Sequence, residues 1–277
     1  MDRLPFGIRR LDSLLGGGAP EGSAVLLAGE PGAGAREFLA TCALMNGLRT
    51  KDPEEFSLQY GDLADDPTLP EEIHYVSLTD DVAGIKREFA TAFDAEFVER
   101  ASDPVVFADL SPSYFRLSPV PREWYAEPTA DIESLGERGD RNTVFEALAA
   151  YLSEHAAGSL VCLDSVTDLL AADGERSLAD VATVLNGIRR AGSDWEGLLV
   201  LLLDSSTVPS ADLGRLQNSV DGTLTFRWER GGSDLARTME LTKFRGVLPT
   251  LDPEDLVTFE TEFRDTGFAV SDVRKIR

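Results

Sequence analysis

The chain has 277 residues, 43% of them hydrophobic, which suits one large α/β domain or two small ones around a sizeable core. It contains no run of about 18 apolar residues and opens on no charged-then-apolar segment, which argues against membrane insertion and for a cytoplasmic protein. A net charge of −23 provides no broad electrostatic footprint for nucleic acid, so a nucleic-acid partner is not expected.

In chain order, Ala24–Ala28 reads as a strand. Ala35–Leu48 follows as a helix, with Phe38, Leu39, Cys42 and Met45 at helical spacing. Ile73–Leu78 is a strand, Val82–Phe93 a helix and Val105–Leu110 a strand. Thr143–Ala156 is helical, Leu160–Leu163 a strand, Leu178–Ala191 a helix and Leu198–Leu203 a strand. Strands separated by helices imply right-handed crossovers and a mostly parallel sheet covered on both faces. After Asp221 the pattern changes. Thr223–Arg230, Leu235–Lys243, Leu256–Glu262 and Gly267–Val270 read as an antiparallel meander, with "RGGS" at Arg230–Ser233 supplying hairpin glycines.

Two stretches read as insertions in a single domain spanning residues 1–277. Residues 51–70 are acidic and proline-punctuated. Residues 111–142 carry Pro112, Pro119, Pro121 and Pro128 beside the exposed-type aromatics Tyr114, Phe115, Trp124 and Tyr125. That proline density argues for an ordered loop or a lid rather than a helix. Cys42 and Cys162 lie in apolar segments without metal-type spacing and read as buried free thiols. His74 and His155 stand isolated in the sequence and suggest no metal.

The chemistry concentrates at Leu26–Ala40, "LLAGEPGAGAREFLA". A glycine-rich turn between a buried strand and a helix points backbone N–H groups into one concavity at the positive end of the helix dipole. Gly29, Glu30, Pro31, Gly32, Ala33 and Gly34 form that turn, and the cradle consists of backbone. A hydrolysing phosphate loop continues with a lysine for the β/γ-phosphates and a hydroxyl for Mg²⁺. Here Ala35 and Arg36 occupy those places. Arg36 reads as a solvated arginine on the first helical turn, with direct contact to a phosphate as the alternative.

Phe6–Gly34, "FGIRRLDSLLGGGAPEGSAVLLAGEPGAG", resembles the opening of the KaiC-like branch of the RecA ATPase superfamily. "LVCLDSVTDLL" at Leu160–Leu170 resembles its Walker B strand, and Val220–Gly246 resembles its late hairpin ending in K-x-R-G. "FAV" after Gly267 resembles its closing strand. The resemblance implies a RecA-like P-loop core with ATP or ADP as cofactor and Mg²⁺ held at Asp164. Without that context, Asp164 would read as a helix cap or turn residue. The family's water-polarising glutamate pair is replaced by Thr79 and Asp80 in "VSLTDD", which leaves Asp80 as a poorly placed candidate base. Lys243 and Arg245 match the pair that reaches a neighbouring subunit's γ-phosphate in relatives, and they are equally ordinary as cations on an exposed strand face. Asp204 sits where a polar sensor often lies, although a turn role is as good; Phe226 and Trp228 alternate as core or interface residues.

The departures all fall on catalysis. They imply a degenerate RecA/KaiC-like regulator or scaffold that self-associates or assembles with an intact paralogue. An ATPase rewired through Arg36, Lys243 and Asp80 is the alternative, and a single-strand-DNA-binding recombination accessory a second one. Only four basic residues are lysine, and acid is scattered along the whole chain, which suggests the salt-rich cytoplasm of a halophilic archaeon.

Overall fold

The structure is a computed structural model that describes residues 2–61, 67–116, 118–125, 143–172, 178–231, 234–251 and 258–272. The N-terminal half runs β1 (Arg3–Leu4), α1 (Arg9–Leu14), β2 (Ala19–Pro20), β3 (Ser23–Gly29), α2 (Ala35–Lys51), α3 (Pro53–Tyr60), β4 (Ile73–Ser77), α4 (Val82–Ala92), α5 (Ala95–Ser102), β5 (Val105–Asp109) and α6 (Ser111–Phe115). There follow α7 (Val144–His155), β6 (Leu160–Asp164), α8 (Val166–Ala171), α9 (Leu178–Trp195), β7 (Leu198–Asp204) and α10 (Ser210–Asn218). The chain closes with β8 (Gly222–Gly231), β9 (Asp234–Phe244), β10 (Phe259–Arg264) and β11 (Gly267–Asp272).

One nine-stranded sheet has the order β11-β10-β9-β8-β3-β7-β6-β4-β5. Pairing is parallel from β8 through β3, β7, β6 and β4 to β5. It is antiparallel from β8 through β9 and β10 to β11, as the change of pattern after Asp221 implies. The near-continuous apolar runs of β3 and β7 follow from burial on both faces. Val25, Leu27, Val200 and Leu202 face a core closed by α1 to α5, whereas Ala24, Leu26, Leu199, Leu201 and Leu203 face one closed by α7 to α10. Both cysteines are buried and free.

Several features depart from the sequence reading, among them α5, whose first turn is capped by Asp94 accepting from Phe97 N at 2.9 Å. Residues 51–70 contain α3, because Asp52 accepts a hydrogen bond from Glu55 N at 3.0 Å and Pro53 fits the first helical turn. Within residues 111–142, α6 and a 3₁₀ turn at Arg122–Trp124 are helical; Trp124 is exposed, while Tyr114, Phe115 and Tyr125 are half-buried. The rest of the lid expectation, residues 126–142, lies outside the described residues, as do residues 232–233 of the hairpin turn and 256–257 of the third meander strand. Finally, His74 and His155 are not isolated. Strand β4 starts beside the end of α7, which sets the two rings 5.3 Å apart.

The N-terminal segment is tied down by Asp12 of the "LD" pair. Its two carboxylate oxygens accept hydrogen bonds from Phe6 N at 2.8 Å and Gly7 N at 2.9 Å, and Tyr60 donates its hydroxyl at 2.7 Å. Burial pushes Asp12 up to about 7, against these hydrogen bonds, which lower it.

Candidate nucleotide-phosphate site

The turn after β3 holds Gly32 at φ 73° and Gly34 at φ 110°, left-handed values open to glycine. A Cβ on Gly34 would also lie 2.8 Å from the Phe268 ring. Gly34 brings no capping side chain to α2, so the first-turn amides and the positive end of the dipole face the cleft in front of the loop. That cleft measures about 390 Å³ and opens beyond the carboxyl ends of β3, β6 and β7.

The loop's outer side is held by the antiparallel extension. Trp228 N donates to Glu30 Oε2 at 3.1 Å and Trp228 Nε1 to the Pro31 carbonyl at 3.0 Å. Arg237 Nε donates to the Gly32 carbonyl at 2.9 Å, with its guanidinium 4.4 Å from the Trp228 ring and 4.5 Å from the Phe263 ring. The carbonyls are thus drawn outward. Of the loop amides, Glu30 N donates to the Phe226 carbonyl and Ala33 N to the Glu30 carbonyl, each at 3.0 Å, so the loop's shape is fixed from both sides. No sequence motif singled out Arg237; its alternation with buried Met239 on β9 is the only available signal.

Arg36 is not simply solvated, because it is paired with a carboxylate. Its Nη1 donates to Asp164 Oδ2 at 2.6 Å, and the Tyr75 hydroxyl donates to the same oxygen at 2.9 Å. Glu88 lies 3.6 Å away on the open side. The Asp164 side chain is 6% exposed and that of Arg36 is 42% exposed, so the carboxylate is buried while the guanidinium lines the cleft and remains accessible. Burial pushes Asp164 up to about 6, an effect that Arg36 and Tyr75 oppose. Burial pulls Arg36 down, but the charge of Asp164, joined by lesser neighbours, outweighs it and leaves Arg36 raised. Asp164 is no helix cap: Ser165 caps α8, accepting from Asp168 N at 3.3 Å.

These residues fit an anion and do not fit a magnesium ion. The backbone cradle is in place, but the hydroxyl position carries a guanidinium, and the Asp164 carboxylate expected to face Mg²⁺ is already neutralised by it. The rim is also acidic. Glu30, Glu37, Asp168 and Asp204 line the cleft, with Arg36 as its cation. Asp204 is engaged in a turn, accepting from Ser206 N at 2.8 Å.

Thr79 reaches this cleft, whereas Asp80 lines the neighbouring one with Asp81, Asp109 and Trp124. Lys243 and Arg245 cap the end of α10. Lys243 Nζ donates to the carbonyls of Gln217 at 2.5 Å and Val220 at 2.7 Å, and Arg245 Nη2 to that of Asn218 at 3.0 Å. Cations suit the negative end of a helix. Burial, with Arg245 alongside, lowers Lys243 to about 8.

The sequence matches no family model and no curated protein. Among solved structures, a KaiC-like protein of the hyperthermophilic archaeon Pyrococcus horikoshii is similar at TM-score 0.62 and 18% identity, over 97% of this chain and 98% of that one. The flagellar accessory protein FlaH of Methanocaldococcus jannaschii is similar at TM-score 0.58 and 15% identity, over 95% of each chain. Together with the parallel core and its antiparallel extension, these likenesses identify the fold as that of the RecA-like P-loop ATPases, in the KaiC-like form.

Proposed function

We propose that the chain is a non-hydrolysing member of this fold: a regulatory or scaffold protein whose backbone cradle takes nucleotide phosphates weakly and without magnesium. The observation that carries the reading is the 2.6 Å contact between Arg36 and Asp164. A side-chain cation held against the carboxylate that would face an exchangeable metal in a hydrolysing site supports the reading. Loss of one preorganised transition-state donor costs about 10²–10³ in rate, and both the lysine and the metal-binding hydroxyl are replaced here. The acidic rim further weakens phosphate binding, less so in concentrated salt.

A protein of this kind acts through contacts, so a second copy or an intact paralogue is the proposed partner. Lys243 and Arg245 are already bonded within the chain, and reaching a neighbour's nucleotide would require releasing those bonds. A basic stripe for single-stranded DNA has no support in a protein of net charge −23.

Isothermal titration of ATP and ADP in molar potassium chloride, with and without Mg²⁺, tests the reading. Weak binding indifferent to Mg²⁺, with no phosphate release, is expected. Steady Mg²⁺-dependent turnover overturns it.

A further inference from the structure

The chain's two histidines, 81 positions apart, meet at the end of the sheet opposite the phosphate cleft. Strand β4 runs parallel to β6, so the cluster at its start lies at the far end from the cleft, into which the chain past Ser77 leads. His74 is buried and directed toward α7, where the Tyr151 hydroxyl hydrogen-bonds its Nδ1 at 2.7 Å. Its Nε2 lies 3.0 Å from Glu72 Oε2. His155, the last residue of α7, completes the group, with one ligand atom from each of the three residues lying within 4.8 Å of the others. Among the described residues this is the one trio of His, Cys, Asp and Glu so placed.

Two physical points favour a metal ion here. Two imidazoles and a carboxylate are the donor set of zinc-class ions rather than of magnesium. A partner on Nδ1 leaves Nε2 to the metal and fixes the ring, the usual outer-shell arrangement of a ligating histidine. The Glu72 side chain is 59% exposed, which gives an ion a route in and leaves a coordination position open to water.

We propose that Glu72, His74 and His155 bind one divalent transition-metal ion of the zinc class, joining the start of β4 to the end of α7. This site is independent of the phosphate cleft.

Equilibrium dialysis of the full chain against zinc, in molar potassium chloride with excess Mg²⁺ to occupy scattered carboxylates, tests the site. One zinc per chain is expected, with cobalt substitution giving the visible absorption of a low-coordinate nitrogen–oxygen site. His155→Ala and Glu72→Gln change exposed or half-exposed side chains, and circular dichroism checks that both variants fold. Each is expected to weaken zinc binding by about tenfold or more. Zinc retention unchanged in His155→Ala, or no retention by the unaltered chain, overturns the proposal.

Discussion

At the scale of single residues, the Arg36–Asp164 contact separates this site from a hydrolysing one. Replacing Ala35 with Lys and Arg36 with Thr restores an ammonium and a hydroxyl and frees the Asp164 carboxylate. The double variant is expected to bind ATP about 10- to 100-fold more tightly with Mg²⁺ than without, equivalent to about 1.4–2.8 kcal/mol. Calorimetry with and without the metal checks this. Turnover should stay low, because Thr79 stands in the cleft at the first position of the missing glutamate pair, and Asp80, at the second, lines the neighbouring cleft. Equal affinity with and without Mg²⁺ would mean that another feature blocks the metal. The sequence named every residue of the loop, and the loss of lysine and hydroxyl was legible at once. The side-chain partner of Arg36 was not, because Asp164 lies 128 positions away and meets it only where the end of β6 comes near the first turn of α2.

At the scale of elements, the phosphate loop is held in shape by strands far from it in sequence. Gly34→Ala would force an alanine to φ 110° and press its methyl against Phe268. A loss of about 2–3 kcal/mol in urea unfolding is expected, from backbone strain and overpacking together. A change below about 0.5 kcal/mol would show that the loop relaxes freely. Arg237→Ala removes the hydrogen bond to Gly32 and the contacts to Trp228 and Phe263, with an expected cost of about 1 kcal/mol. The long periodic elements were readable because their apolar patterns run over several turns or a full strand. The short helices were missed for the opposite reason. Asp52 and Asp94 each cap a helix of eight residues, α3 and α5, too short to show a period. Their aspartates look in the sequence like part of a diffuse acidic surface.

For the whole molecule, charge and buried carboxylates set the response to solvent. Asp12 at about 7 and Asp164 at about 6 are both raised by burial above the ordinary 3.8. The native state therefore keeps protons that the unfolded chain has released. Their contribution is fully present below about pH 4 and is lost as pH rises through 6 and 7. In molar salt, unfolding free energy is expected to be greater at about pH 5.5 than at about pH 8, with a slope near 1 kcal/mol per pH unit between 6 and 7. Asp12→Asn should flatten the upper part of that slope; urea midpoints across pH measure it, and a rise in stability toward pH 8 contradicts the assignment. What the sequence determined by itself is what local pattern encodes: the alternation of strands and helices, the glycine cradle, its missing lysine and hydroxyl, and the acidic surface. Tertiary structure alone decided what each polar group touches. Arg36 reaches Asp164, Arg237 reaches the Gly32 carbonyl, and the two histidines meet, because those contacts depend on which strand ends and helix ends adjoin. Periodicity carries no record of that adjacency, which arises only when both faces of one sheet are buried at once.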